Sequence, residues 1–226
     1  MGNLKMKNRT VVITGSNGST ARELIRYFSK SFDEAIGISR DPHETFTEKN
    51  INIYTANMLN HAESMSVARQ IIENHQIIDV WVNCIGGFSM GSSIDEDDEN
   101  WNSMYNINFL TCLNGCKVAL HHMKHQKHGK IINIGSKAAL DGFPNAAAYL
   151  ISKSSVHTLT KLIALETADL DITCNAILPG IIDTTQNREA MPNEDFTKWE
   201  TPKQIAITIN ETLHSTDTGQ LISVNI

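Results

Sequence analysis

A serine, a tyrosine and a lysine fall within one short stretch of this chain, and their types and spacing suit proton transfer. Ser136 precedes Tyr149 by 13 residues, and Tyr149 precedes Lys153 by four, in S-K-A-A-L-D-G-F-P-N-A-A-A-Y-L-I-S-K. On a helix, positions four apart share a face, one turn from each other. A phenol beside a fixed ammonium is a candidate general acid near neutral pH, because the positive charge favours phenolate and lowers a pKa that starts at about 10. The same spacing also describes a solvated helix face, so the meaning of the trio depends on the elements that carry it.

Composition narrows those elements. The chain has 226 residues, of which 41% are hydrophobic, enough for one domain spanning 1–226 with a sizeable core. Its net charge of −6 argues against a nucleic-acid surface. The four cysteines, Cys84, Cys112, Cys116 and Cys174, lie in apolar runs and read as reduced core residues. No run reaches the ~18 apolar residues of a membrane span. The opening M-G-N-L-K-M-K-N-R-T has neither the apolar region of a secretory signal nor the residue that N-myristoylation requires at position six, so the expected location is the cytoplasm. His121, His125 and His128 share a helix face on paper, but no carboxylate or thiolate accompanies them and no metal is expected.

The chain then alternates. Residues 10–14 (T-V-V-I-T) form a β-branched strand, and T-G-S-N-G-S-T-A follows, leading into a helix over 21–30. A strand, a glycine turn and a helix make a nucleotide-binding opening: Gly15 permits the tight turn, Gly18 a close backbone approach, and Ser16, Asn17, Ser19 and Thr20 line a helix start whose free N–H groups suit a pyrophosphate. A second strand over 34–39 ends in Ser39–Arg40, where an adenosine ribose would lie. A small polar residue followed by Arg suits a 2′-phosphate, so NADP(H) is favoured over NAD(H), with Asp41 as the alternative ribose acid. A third strand over 51–55 places Asn57 and Met58 beside an adenine edge. A helix follows over 61–75, then a fourth strand over 79–84 ending in Asn83-Cys-Ile-Gly86-Gly87.

Residues 88–100 read as a loop whose acids, 95–99, start the next helix. The other reading is a substrate-pocket lip that disfavours anionic substrates. A long helix over 101–127 carries Asn108, a polar amide that needs a partner. A fifth strand over 130–135 delivers Ser136, and a helix over 145–170 carries Tyr149 and Lys153. A sixth strand over 172–178 ends in Pro179–Gly180. Residues 181–199 read as a flexible lid with Ile182, Thr184, Thr185 and Arg188, before a helix from Pro202 to about His214 and a terminal strand over 221–225. The class is therefore α/β, a single-domain Rossmann fold with a doubly wound parallel sheet of about seven strands and helices on both faces. The Gly15 loop, Ser39–Arg40, Asn83–Gly87, Ser136 and Pro179–Thr184 all follow strand carboxyl ends, where such sheets hold ligands.

In this order the motifs resemble the short-chain dehydrogenase/reductase family over nearly the whole chain: the 14–21 glycine loop, Asn83–Gly87 against that family's N-N-A-G, Asn108 in I-N-F, Ser136, Tyr149-x-x-x-Lys153 and Pro179-Gly180-x-x-x-Thr184. The resemblance implies hydride transfer between a nicotinamide and a small-molecule carbonyl or alcohol. Tyr149 would act as general acid, Lys153 would lower its pKa and bond the nicotinamide ribose, and Ser136 would donate to the substrate oxygen. Asn108 would hold a water near Lys153, and the 179–184 segment would close over the nicotinamide. It also implies a homodimer or homotetramer packed through the two long helices. G-S-K-A-A-L-D-G-F-P and D-T-T-Q-N-R-E-A-M-P-N-E-D-F-T-K-W look closer to the dihydropteridine reductase branch. However, Ser136 stands where animal members of that branch have alanine, and Ser39–Arg40 departs from its usual acid. Two other readings stand beside the carbonyl oxidoreductase: a pterin reductase of that branch, and a dinucleotide-binding regulator without catalysis.

Overall fold

The computed structural model describes residues 9–43 and 45–224. The N-terminal segment read for a signal or lipid motif, and Asn225 at the end of the expected last strand, lie outside the described residues. Seven strands form one sheet: β1 (Thr10–Thr14), β2 (Glu34–Ser39), β3 (Ile51–Thr55), β4 (Val80–Asn83), β5 (His128–Ile134), β6 (Asp171–Leu178) and β7 (Leu221–Ser223). Their order is β3-β2-β1-β4-β5-β6-β7, and every neighbouring pair is parallel. The helices are α1 (Ser19–Phe28), α2 (His61–His75), α3 (Asp98–Met104), α4 (Thr111–Gln126), α5 (Ala138–Asp141), α6 (Ala147–Glu166), α7 (Thr185–Ala190) and α8 (Pro202–Leu213).

Strand alternation builds two cores. Val11 and Ile13 of β1 face Leu24, Ile25 and Phe28 of α1 and Ile205 and Ile209 of α8, whereas Val12 faces the opposite layer. That layer holds Ile71 of α2, Val118 and Met123 of α4 and Val156 of α6. Both faces of the sheet are covered, which is why its strands read as continuous apolar runs. The chain reverses direction across the sheet between β1 and β4, and the crevice outside their carboxyl ends is the ligand-binding position of such folds.

Three expectations are corrected. The expected helix over 101–127 is broken. Asp97 caps α3 through the Asn100 N–H at 2.7 Å, with Asp98 and Glu99 in the first turn, so the acids serve the helix start. A π-helical turn, Tyr105–Leu110, then separates α3 from α4. Residues 181–199 are not a structureless lid. They contain α7 and a 3₁₀ turn, Phe196–Lys198, braced by a bidentate Arg188–Asp183 pair at 2.6 and 2.8 Å and by the Arg188 guanidinium over the Phe196 ring. The three histidines do not share one face: His121 meets His122 and His125 edge-on along α4, while His128 opens β5 and faces Asp79. Among the described residues no group of three His, Cys, Asp or Glu side chains is placed to hold a metal ion, and no helix is long and apolar enough to cross a membrane.

Candidate active site

The site assembles where β1, β4, β5 and β6 end. Gly15 turns the chain after β1 with φ +83°, a left-handed conformation that an L side chain adopts only with strain. The N-cap of α1, Gly18, offers no side-chain cap, whereas Asn60, Thr184 and Thr201 cap α2, α7 and α8 with their own oxygens. The first N–H groups of α1 at Ser19, Thr20 and Ala21 thus remain for an external acceptor, with the positive end of the helix dipole behind them. These residues fit a dinucleotide pyrophosphate. Asn17 ties this loop to the end of β2, donating to the Asp41 carbonyl at 2.6 Å and meeting His43 Nε2 at 3.2 Å. Arg40 is exposed beside it, and the Asp41 carboxylate faces His43 at 3.8 Å.

Several expected cofactor contacts lie elsewhere. Ser16 turns its side chain inward against the Gly37 backbone and is buried. Met58 is a core side chain. Asn57 bonds locally, its N–H donating to Glu63 and its Oδ1 accepting from Leu59. The Asn83 amide belongs to the sheet interior, accepting from Trp81 Nε1 and donating to Asn133 Oδ1, both at 2.8 Å. Trp81 and Asn83 are two apart on one strand face, which points them at α4. Ser39 is buried at the strand end. The Thr184 hydroxyl caps α7 by accepting from the Asn187 N–H. At these positions the main chain is what a dinucleotide could still reach.

The catalytic candidates come together. The Ser136 hydroxyl lies within reach of the Tyr149 phenol and lowers its pKa. Lys153 is buried and donates to the Ile134 carbonyl at 2.9 Å. A Cβ on Gly86 would sit 3.2 Å from Lys153 Nζ and 3.0 Å from Asn108 Oδ1, so a side chain there would press on both. Phe88, from that loop, packs edge-on against the Tyr149 ring, their centroids 4.9 Å apart. The Asn108 amide is engaged within the protein. Its amide accepts from the Gly87 N–H at 3.0 Å and donates to the Gly87 carbonyl and to Ser152 Oγ, both at 3.1 Å. The π turn aims this amide sideways, and it clamps the β4 loop to α6.

The electrostatics differ from the sequence expectation at Tyr149. Burial raises the phenol's pKa, and the Ser136 hydrogen bond offsets this only in part. Burial also lowers the Lys153 pKa, although one of its three N–H groups donates to the Ile134 carbonyl. A raised phenol pKa keeps the proton in place at neutrality, which suits a proton donor.

Sequence reasoning missed Glu200. Its carboxylate is buried and accepts the Gly180 N–H at 2.8 Å, while its main chain pairs with Ile181 and Asp183. The acid therefore fixes the segment that follows β6, and Pro179 is held in turn by the Lys137 N–H at 2.9 Å. Burial raises the Glu200 pKa against the pull of Gly180 and Lys137. A raised carboxyl pKa means that the folded chain takes up this proton before the unfolded chain does. The cost of the charge is thus present at neutral pH and relieved as pH falls from the raised value toward 4.5. Glu200→Gln, which keeps an acceptor, should raise the thermal midpoint at pH 7–8. The gap to wild type should close on acidification to pH 4.5, followed by calorimetry.

Comparison with known proteins bears on this arrangement. The family model for short chain dehydrogenases matches residues 9–195. The chain belongs to the short-chain dehydrogenase family. It is 30% identical over 204 residues to a 2-dehydro-3-deoxy-D-gluconate 5-dehydrogenase of Bacillus subtilis (strain 168), covering 85% of this chain and 80% of that relative. It is also 30% identical over 200 residues to 3beta-hydroxysteroid dehydrogenase 1 of Eggerthella lenta, covering 81% and 74%. The structure of ElxO with NADP bound superposes with a TM-score of 0.87 at 26% identity, covering 96% of this chain and 97% of that one. These likenesses are to the short-chain dehydrogenase family at large and do not single out the dihydropteridine branch. Within the family frame, Ser136 follows β5, Tyr149 and Lys153 stand on α6, and Asn108 stands on the π turn.

Proposed function

We propose that this short-chain dehydrogenase interconverts a carbonyl and an alcohol, with Tyr149 as general acid and base and with NADP(H) preferred over NAD(H). The observation that carries the reading is that Ser136 acts on the Tyr149 phenol, while Lys153, one turn along α6, is buried against Gly86 at the strand ends. The dinucleotide, when bound, supplies or accepts the hydride. Tyr149 then delivers its proton to the carbonyl oxygen as negative charge grows there, and takes it back in the oxidative direction. Ser136 donates a hydrogen bond to that oxygen, a preorganised contribution of about 3–4 kcal/mol to the transition state. Lys153 bonds the ribose next to Tyr149. The α1 N-terminus, with the main chain from Gly15 to Thr20, holds the pyrophosphate. Gly86, Gly87, Pro179, Gly180 and Ile182 flank the nicotinamide. Exposed Arg40 takes the 2′-phosphate, while the Asp41 carboxylate is turned to His43.

The mouth supports a substrate class. Phe88 and Met90 follow β4, Leu140 and Phe143 follow Ser136, and Ile181 follows β6, all with exposed side chains. Main-chain bonds stitch these loops together, from Gly91 to Asn145 and Ala147 and from Lys137 to Pro179. With the acids over 95–99 close by, a neutral carbonyl flanked by apolar groups suits this opening better than a small keto acid. Exposed Ile151, Leu162 and Leu165 on α6 support assembly as a homodimer or homotetramer through α4 and α6.

The test is the initial rate of NADPH and NADH oxidation against neutral apolar ketones, keto acids and quinonoid pterins. The highest kcat/KM should fall on a neutral ketone with NADPH. Arg40→Ala should raise KM for NADPH by about tenfold and leave NADH unchanged, as expected for one phosphate-bound guanidinium. Preference for NADH in the wild type would remove the role assigned to Arg40. Cofactor binding without turnover on any substrate would favour a regulator.

A further inference from the structure

α6 does more than carry Tyr149 and Lys153. One turn beyond Lys153, the same face presents His157, whose side chain is 5% exposed. Its Nε2 accepts the main-chain N–H of Ser136 at 3.3 Å. A ring nitrogen that accepts carries no proton, so the imidazole is neutral with its hydrogen on Nδ1. Burial, with Lys153 and Lys161 nearby, lowers its pKa to about 4, so the acceptor persists at neutral pH. Gly135 makes the approach possible, since a Cβ there would stand 2.6 Å from His157 Nε2.

The end of β5 is thus gripped from one helix. Lys153 holds the Ile134 carbonyl and His157 holds the Ser136 N–H, while the Tyr149 phenol is the group the Ser136 hydroxyl acts on. Ser136 sits just past the last residue of β5, Ile134; its neighbours Gly135 and Lys137 still donate to Ile177 and Pro179, whereas its own N–H points the other way, to His157. We infer that His157 is a positioning residue for catalysis, which fixes the Ser136 main chain so that its hydroxyl meets Tyr149 and the substrate oxygen. This rests on the oxidoreductase reading above, and it adds a residue that touches neither substrate nor dinucleotide.

The experiment joins a substrate-free readout to kinetics. The Tyr149 phenol is titrated by ultraviolet difference against Tyr149→Phe in wild type, His157→Leu, His157→Gln, Ser136→Ala and the Ser136→Ala/His157→Leu double variant. His157→Leu removes the acceptor at similar bulk, and His157→Gln keeps one. Because the Ser136 bond lowers the phenol pKa, His157→Leu should move the titration upward as Ser136→Ala does. The double variant should move it no further, and His157→Gln should return toward wild type. In turnover, His157→Leu should lower kcat by about 10- to 100-fold with KM for the dinucleotide unchanged, the size expected for an ångström-scale misplacement. In the Ser136→Ala background that loss should vanish.

A His157→Leu protein that titrates and turns over like wild type would overturn the inference. So would a loss that adds in full to that of Ser136→Ala, since it would mark a role in stability alone. If no substrate turns over, the carbonyl reading fails, while the titration still decides the role of His157. If His157→Leu does not fold, the comparison of His157→Gln with wild type decides it: a wild-type titration supports the inference, and an upward shift equal to that of Ser136→Ala contradicts it.

Discussion

Tyr149→Phe should lower kcat by about 10²–10⁴-fold, the range that a positioned proton donor contributes. The ring itself should stay in place, because its edge-on contact with Phe88 needs no hydroxyl. The thermal midpoint should therefore hold within a degree or two, and the dissociation constant of NADPH, read by nucleotide fluorescence, should be nearly unchanged. This split between kcat and binding separates loss of a proton donor from loss of a site. A variant that kept its kcat would mean that the proton comes from elsewhere, and the role given to Ser136 would go with it.

Asn108→Ala should act on stability and rate together. The amide is 1% exposed and serves both main-chain groups of Gly87 as well as Ser152 Oγ. Ser152 still has the Tyr149 carbonyl as an acceptor at 2.7 Å, so the orphans are the Gly87 N–H and C=O. Leaving such groups unpaired costs about 1–3 kcal/mol, or several degrees in the thermal midpoint of a chain this size. Gly87 also lies between Gly86, which touches Lys153, and Phe88, which touches Tyr149. Releasing it should lower kcat/KM by roughly 10²-fold through misplacement. Calorimetry and kinetics on one preparation check both. A rate loss without a stability loss would point instead to a direct chemical role for the amide.

The frame of the molecule was legible because it depends on local patterns. The β-branched runs gave the strands, and Met65, Ala68, Ile71 and Ile72 at helical spacing gave α2 with the bounds found, His61–His75. The Ser136, Tyr149 and Lys153 grouping was legible for the same reason, since two of its members share one helix face. What escaped depends on long-range pairing. The π turn has no local signature in Y-N-I-N-F-L, and it forms where Asn108 must reach Gly87 and Ser152. Glu200 reads as a lead-in to the Thr201–Pro202 helix start, yet its carboxylate closes on Gly180 across 20 residues. Asn83 reads as a cofactor contact because it precedes two glycines. Its true direction could have been found from Trp81, two residues earlier on the same strand face. His157 was within reach by extending the Tyr149–Lys153 spacing one further turn.

The central claim is that hydride passes between a nicotinamide and a carbonyl carbon while Tyr149 supplies the proton. It is tested most directly with NADPH carrying deuterium at both C4 positions and a neutral apolar ketone, the product analysed by mass spectrometry. The account predicts an alcohol heavier by one deuterium at the former carbonyl carbon with the wild-type enzyme, and at most about one hundredth of that rate with Tyr149→Phe. Product without label, or labelled product formed equally fast by Tyr149→Phe, would contradict it.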